Sequence, residues 1–95
     1  MNWERPDFKN ILEARKVTKD YLPRTPIYSY PYLDQLLGTT VFIKHENHMP
    51  TGVFKARGAL YLCSRLDARQ KERGIVTAST GNHAQSIAYA GHLFH

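Results

Sequence analysis

Two stretches decide the reading of this chain: Thr51-Gly52-Val53-Phe54-Lys55-Ala56-Arg57-Gly58-Ala59, and further along Ser79-Thr80-Gly81-Asn82-His83-Ala84-Gln85. Each stands where a run of β-branched and apolar residues gives way to a helical pattern. Ahead of the first lies Thr39-Thr40-Val41-Phe42-Ile43-Lys44, and ahead of the second Gly74-Ile75-Val76-Thr77-Ala78-Ser79, both of strand composition. After the first, Ala56, Ala59, Leu60, Cys63 and Leu66 recur at helical spacing, which predicts one helix from about Val53 to Gly74. After the second, Ala84, Ile87, Ala88 and Gly91 give a stripe of small residues that would let a closing helix lie near a sheet.

Working outward, residues 7–21 read as a first helix, with Asp7 as cap after Pro6. Pro23 and Pro26 stop it and push Arg24–Tyr28 into an extended path. Pro31 sits in the first turn of a short helix with Leu33, Leu36 and Leu37 on its apolar face, and Gly38 ends it. His45–Pro50 is a loop. Strand, helix, strand, helix is the order of an α/β layer with parallel strands.

Composition narrows the classes. The chain has 95 residues, 42% of them hydrophobic, enough for one small folded unit. No apolar run approaches the roughly 20 residues of a membrane span, and the polar N-terminus lacks a secretory core. A cytoplasmic setting with no membrane partner is therefore expected. Thirteen basic against eight acidic residues leave a net charge of +5, but the cations are scattered and do not interleave with the aromatic residues. This favours a solvated basic face over a nucleic-acid tract. Cys63, the single cysteine, excludes an internal disulfide and reads as a small buried hydrophobe. His45 and His48, or His92 and His95, have an i, i+3 spacing without a third ligand, so no metal site is expected.

Chemically, a lysine at a helix N-terminus lies at the positive end of the helix dipole, and partial burial there would favour its neutral, nucleophilic form. Such an amine forms Schiff bases with aldehydes. On its own Lys55 reads first as a surface residue of a helical first turn. Ser79-Thr80-Gly81-Asn82 sets hydroxyls and free backbone N–H groups at a helix start, an outline of an anion site or of an ordinary capping turn. Both blocks follow strands, on the rim where parallel α/β sheets bind ligands.

Taken together, the two blocks resemble the active-site signatures of pyridoxal-phosphate (PLP) enzymes of the threonine dehydratase and serine racemase family. The resemblance covers almost the whole chain and is most specific from Lys44 to Gly91. It implies an α/β fold, a partial parallel-sheet domain of fold type II (tryptophan synthase β-like). Residues 1–95 would be the N-terminal part of a PLP-dependent catalytic domain, including part of its small domain, and truncated. By the resemblance Lys55 bonds covalently to PLP, Phe54 packs beside it and Asn82 hydrogen-bonds its ring oxygen. Ser79, Thr80, Gly81 and His83 would hold the substrate carboxylate, with Thr80 also a candidate second proton carrier. Ala56, where cysteine and threonine synthases typically carry aspartate, and His83 after Asn82 look like the hydroxy-amino-acid dehydratases and serine racemases.

The implied reaction converts L-threonine or L-serine to a 2-oxo acid and ammonia. Amino-acid racemisation and a non-catalytic basic binding module are the alternatives. The family's glycine-rich phosphate loop is missing, since the glycines here are isolated. The chain alone is therefore expected to hold PLP poorly and to be inactive. The longer parent would be a homo-oligomer acting on a small amino-acid substrate, with no nucleic-acid partner.

Overall fold

The computed structural model describes residues 4–94. Helix α1 spans Phe8–Thr18, strand β1 Ile27–Ser29, helix α2 Pro31–Leu37 and strand β2 Phe42–Lys44. A single 3-10 turn at Glu46–His48 leads toward α3, Lys55–Ser64, which is followed by α4, Ala68–Arg73, and α5, Asn82–Phe94.

Local chemistry explains most of these boundaries. Asp7 caps α1 through a reciprocal box: its carboxylate accepts from the Asn10 N–H at 3.0 Å, and the Asn10 side-chain oxygen accepts from the Asp7 N–H at 2.9 Å. Pro31 occupies the first turn of α2, where its missing N–H leaves no bond unmade. Gly38 closes that helix in the left-handed region at φ 67°, a conformation that other residues resist. The Asp34 carboxylate then accepts from the Val41 N–H at 2.8 Å and turns the chain into β2.

The core lies between α3 and α5, with α1 against the other side of α3. It consists of Leu22, Met49, Ala56, Ala59, Leu60, Cys63, Ile87 and Ala90, so the predicted α3 stripe is buried through Cys63. Burial raises the Cys63 thiol above its ordinary pKa, with nearby Lys71 pulling the other way, as befits a packed residue. The rings of Tyr21 and Phe94, 5.0 Å apart, join the segment after α1 to the last turn of α5.

Four elements differ from expectation. The only ladder among the described residues is antiparallel, β1 against β2, with Ile27 opposite Lys44, Tyr28 opposite Ile43 and Ser29 opposite Phe42. The expected parallel pairing between the 39–44 and 74–79 segments is not made. A strand needs a neighbour about 4.8 Å away, and no described residue supplies one for 74–79, where Val76 is 98% exposed.

The expected helix from Val53 to Gly74 is two helices. Asp67 starts the second with its own capping box, its carboxylate accepting from the Gln70 N–H at 2.8 Å and the Gln70 side chain accepting back at 2.9 Å. In α5 the buried residues are Ser86, Ile87 and Ala90, whereas Ala88 is exposed. The helix is rotated toward α3, its actual partner, rather than toward a sheet. Of the α2 leucines, Leu36 and Leu37 also lack cover, at 68% and 55% exposed, while Leu33 is half-buried.

Candidate functional site

Lys55 is the first residue of α3. The turn before it passes through Gly52 at φ 70°, a left-handed conformation that lets Thr51-Gly52 bend the chain abruptly into the helix. Phe54 stands at the cap position, 63% exposed, and no side chain caps the helix there. The Lys55 side chain is exposed and makes no hydrogen bond or ion pair among the described residues. The partial burial expected for it is not supplied by those residues.

The second block leads into α5. The Ser79 hydroxyl accepts from the Gly81 N–H at 3.2 Å, and the Gly81 carbonyl accepts from the Gln85 N–H at 3.1 Å, so the turn opens directly into the helix. Asn82 is the first helical residue. Residues 79–83 are all exposed.

Because α3 and α5 pack side by side, their first turns lie near each other. A surface cavity of about 380 Å³ between them is lined by Phe54, Lys55, Arg57, Leu62, His83 and Ile87, among others. The structure thus brings Phe54, Lys55 and His83 to one cavity. Ser79, Thr80, Gly81 and Asn82 stand on the approach to α5 and do not line it. A separate apolar groove of about 260 Å³, walled by Cys63, Leu66, Ile87 and Ala88, contains no residue of either block.

Beside the cavity runs a polar network that the sequence did not reveal. Arg57 grips Glu46 with two prongs: Nε donates to Oε2 at 2.8 Å and Nη2 donates to Oε1 at 3.0 Å. The hydroxyl of buried Thr25 donates to Glu46 Oε1 at 2.5 Å. Lys44 Nζ donates to the Thr25 carbonyl at 3.1 Å and sits 3.7 Å from Glu46. Hydrogen bonding from Arg57 holds the Glu46 carboxyl at about 2, against the opposing effect of burial and with further help from Thr25 and the charges of Arg57 and Lys44. The signal available in the sequence was an acid just after a strand and a base inside the lysine block; nothing marked Thr25.

The histidines of the loop are engaged with aromatic and amide groups. His45 Nε2 lies 2.7 Å from the Tyr30 hydroxyl and Nδ1 lies 3.3 Å from the Asn47 side-chain oxygen, with the His48 ring 5.5 Å away. His95, of the other candidate pair, is outside the described residues.

An accessible amine at one helix start, a second helix start beside it and a cavity between them are what a site for an aldehyde or an anion would require. A family model described as pyridoxal-phosphate dependent enzyme matches residues 18–95, and the chain belongs to that family. It is 40% identical over 88 residues to a β-hydroxyaspartate dehydratase of Paracoccus denitrificans, an alignment spanning 93% of this chain and 28% of that protein. It is 44% identical over 85 residues to a catabolic L-threonine dehydratase of Staphylococcus aureus, covering 88% of this chain and 25% of that protein. Among solved structures, maize serine racemase superposes with a TM-score of 0.88 at 38% identity, over 95% of this chain and 28% of that one. The fold is that of the fold-type-II PLP enzymes, and the chain spans little more than a quarter of the length of these relatives.

The residues present suit the reactive end of the cofactor. Lys55 offers an amine with no competing partner among the described residues, and Phe54 offers an exposed aromatic face next to it. Among the described residues no three His, Cys, Asp or Glu side chains gather as a metal site would need, and no helix is long and apolar enough to cross a membrane.

Proposed function

We propose that this chain carries the cofactor lysine and part of the substrate-carboxylate turn of a PLP-dependent dehydratase of β-hydroxy amino acids. The products would be a 2-oxo acid and ammonia. The observation that carries the reading is the cavity shared by Lys55, Phe54 and His83 at the adjoining starts of α3 and α5. When bound, PLP supplies an electron sink for the charge that develops at the substrate Cα.

The protein's own groups then have distinct tasks. Lys55 Nζ would hold the cofactor, and its amine in the free form would serve as the base for the Cα proton. Phe54 would offer the cofactor an aromatic face and help to exclude water. The backbone N–H groups of the 79–83 turn, with Ser79, Thr80 and His83, orient the carboxylate at the positive end of α5, and Asn82 directs a hydrogen bond to the cofactor's ring oxygen. L-Threonine and L-serine are the proposed substrates. The relatives that act on hydroxyaspartate make a second carboxylate worth including in any substrate panel.

A second reading is racemisation, favoured by one feature: Thr80 keeps a hydroxyl on the exposed turn, which would serve as a proton carrier opposite Lys55.

The test is chemical trapping. The enzyme that contains this chain is incubated with PLP, reduced with borohydride and mapped by peptide mass. Label concentrated on Lys55, and lost in Lys55→Ala without redistribution to Lys71, is the expected result. In the enzyme that contains this chain, Lys55→Ala abolishes 2-oxo acid release from L-threonine and L-serine. Full activity in that variant would end the proposal.

A further inference from the structure

The first turn of α3 has an unusual weakness for a place that must aim a reactive side chain. No side chain caps it, and the nearest hydroxyl, on Thr51, reaches only its own loop, at 3.4 Å from the Val53 carbonyl. An uncapped helix start frays, because its first four N–H groups lack partners within the helix. Lys55 is the first residue in that fraying turn.

One set of strong bonds counters this. Arg57 lies in the same turn as Lys55, and its two-pronged grip on Glu46 ties the turn to the loop that follows β2. The Thr25 hydroxyl donates to Glu46 Oε1 and accepts from Arg57 Nη2 at 3.5 Å, and Lys44 at the end of β2 adds a second positive charge 3.7 Å from the carboxylate. Charge-assisted, bidentate bonds are the strongest and most directional of the hydrogen bonds available to a protein surface. The lowered pKa of Glu46 is consistent with a carboxylate held charged for this purpose.

We infer that Glu46, Arg57 and Thr25 form a positioning clamp for Lys55, holding the start of α3 so that the amine faces the cavity it shares with His83. The inference rests on the reading of Lys55 as the cofactor lysine. None of the three residues is given a chemical step; they act through the orientation of the helix. Lysine cannot replace Arg57 here, because a single ammonium has no fork with which to fix a direction.

The experiment measures the fraction of PLP trapped on Lys55 relative to Lys71, in the parent enzyme that contains this chain and in its Arg57→Lys, Glu46→Gln and swapped-pair Glu46→Arg/Arg57→Glu variants. Unfolding midpoints are read in parallel. In the parent, label concentrates on Lys55. In each single variant the Lys55 fraction falls about tenfold, the factor expected when one charge-assisted contact is lost, while the Lys71 signal is unchanged. The swapped pair recovers most of the loss. Thr25→Val, nearly isosteric and leaving the fork in place, is the milder variant should a charge variant fail to fold; there the fraction falls about threefold.

Even spread of label over the lysines of the parent would sink the lysine reading itself. Selective label on Lys55 that is insensitive to all the folded variants, or a swapped pair as impaired as the single ones, would overturn the clamp while leaving the lysine reading intact.

Discussion

Replacing Leu60 by alanine removes the largest fully buried side chain of the core, a residue of α3 with 0% exposure. Its neighbours in the core include Ala56, Ala59, Ala90 and Cys63, all short, so that only Leu22, Met49 and Ile87 have the reach to fill part of the space left behind. The loss therefore combines transfer of the isobutyl group with a persistent cavity, about 3–4 kcal/mol. A chain of this size holds about 5–15 kcal/mol in all, so about a fifth or more of its stability is at stake. Leu62, two residues on and 50% exposed, is the internal control; Leu62→Ala should change stability by less than about 0.5 kcal/mol. Urea titration followed by helical circular dichroism measures both. The functional consequence follows from geometry: once α5 shifts on α3, His83 no longer stands opposite Lys55, and trapping of PLP at Lys55 falls together with stability. Equal destabilisation by the two substitutions, or no change for Leu60→Ala, would refute the packing argument.

Other expected outcomes are simpler. Glu46 has its pKa depressed from 4.5 to about 2, so its contribution is complete above pH 4.5 and is lost as pH falls through 2; in Glu46→Gln that part of the acid destabilisation, about 1–2 kcal/mol after allowance for solvent screening at Arg57, disappears from urea midpoints measured across this range. Asp67→Ala breaks the box that starts α4 and costs about 1 kcal/mol locally, visible as faster amide exchange over residues 68–73 with little change in α3. Cys63 reacts with an aromatic disulfide at least about tenfold more slowly in the folded chain than in urea, since its thiol is both buried and raised in pKa; equal rates would place it at the surface.

What was legible in the sequence was what depends on near neighbours. Pro31 and Gly38 bracket α2 as they stand, and the stripe Ala56, Ala59, Leu60, Cys63 buries as its spacing requires. The break at Asp67 was equally local and was missed, because the helical stripe ran on to Leu66 and masked the Asp67–Gln70 capping pattern. Strand pairing was not legible. Ile75-Val76-Thr77 has strand composition, but composition states a preference for a ladder and cannot provide the neighbour that completes one. The real partner of β2 was Ile27–Ser29, which proline punctuation had reduced to an extended connector. At the site, Lys55 and His83 were picked out by motif and do face one cavity. That Glu46, just after a strand, could pair with a nearby base was readable, but its partner was not, because opposite charges separated by a loop are common and only geometry shows which ones meet.

The contact between the Tyr21 and Phe94 rings bears on the order in which the molecule assembles. Closing so long a loop is entropically slow compared with zipping up a helix or the short β1–α2–β2 excursion. The nearby pieces are thus expected to form early, and the two rings to meet late. Substituting either ring should accordingly accelerate unfolding far more than it retards folding.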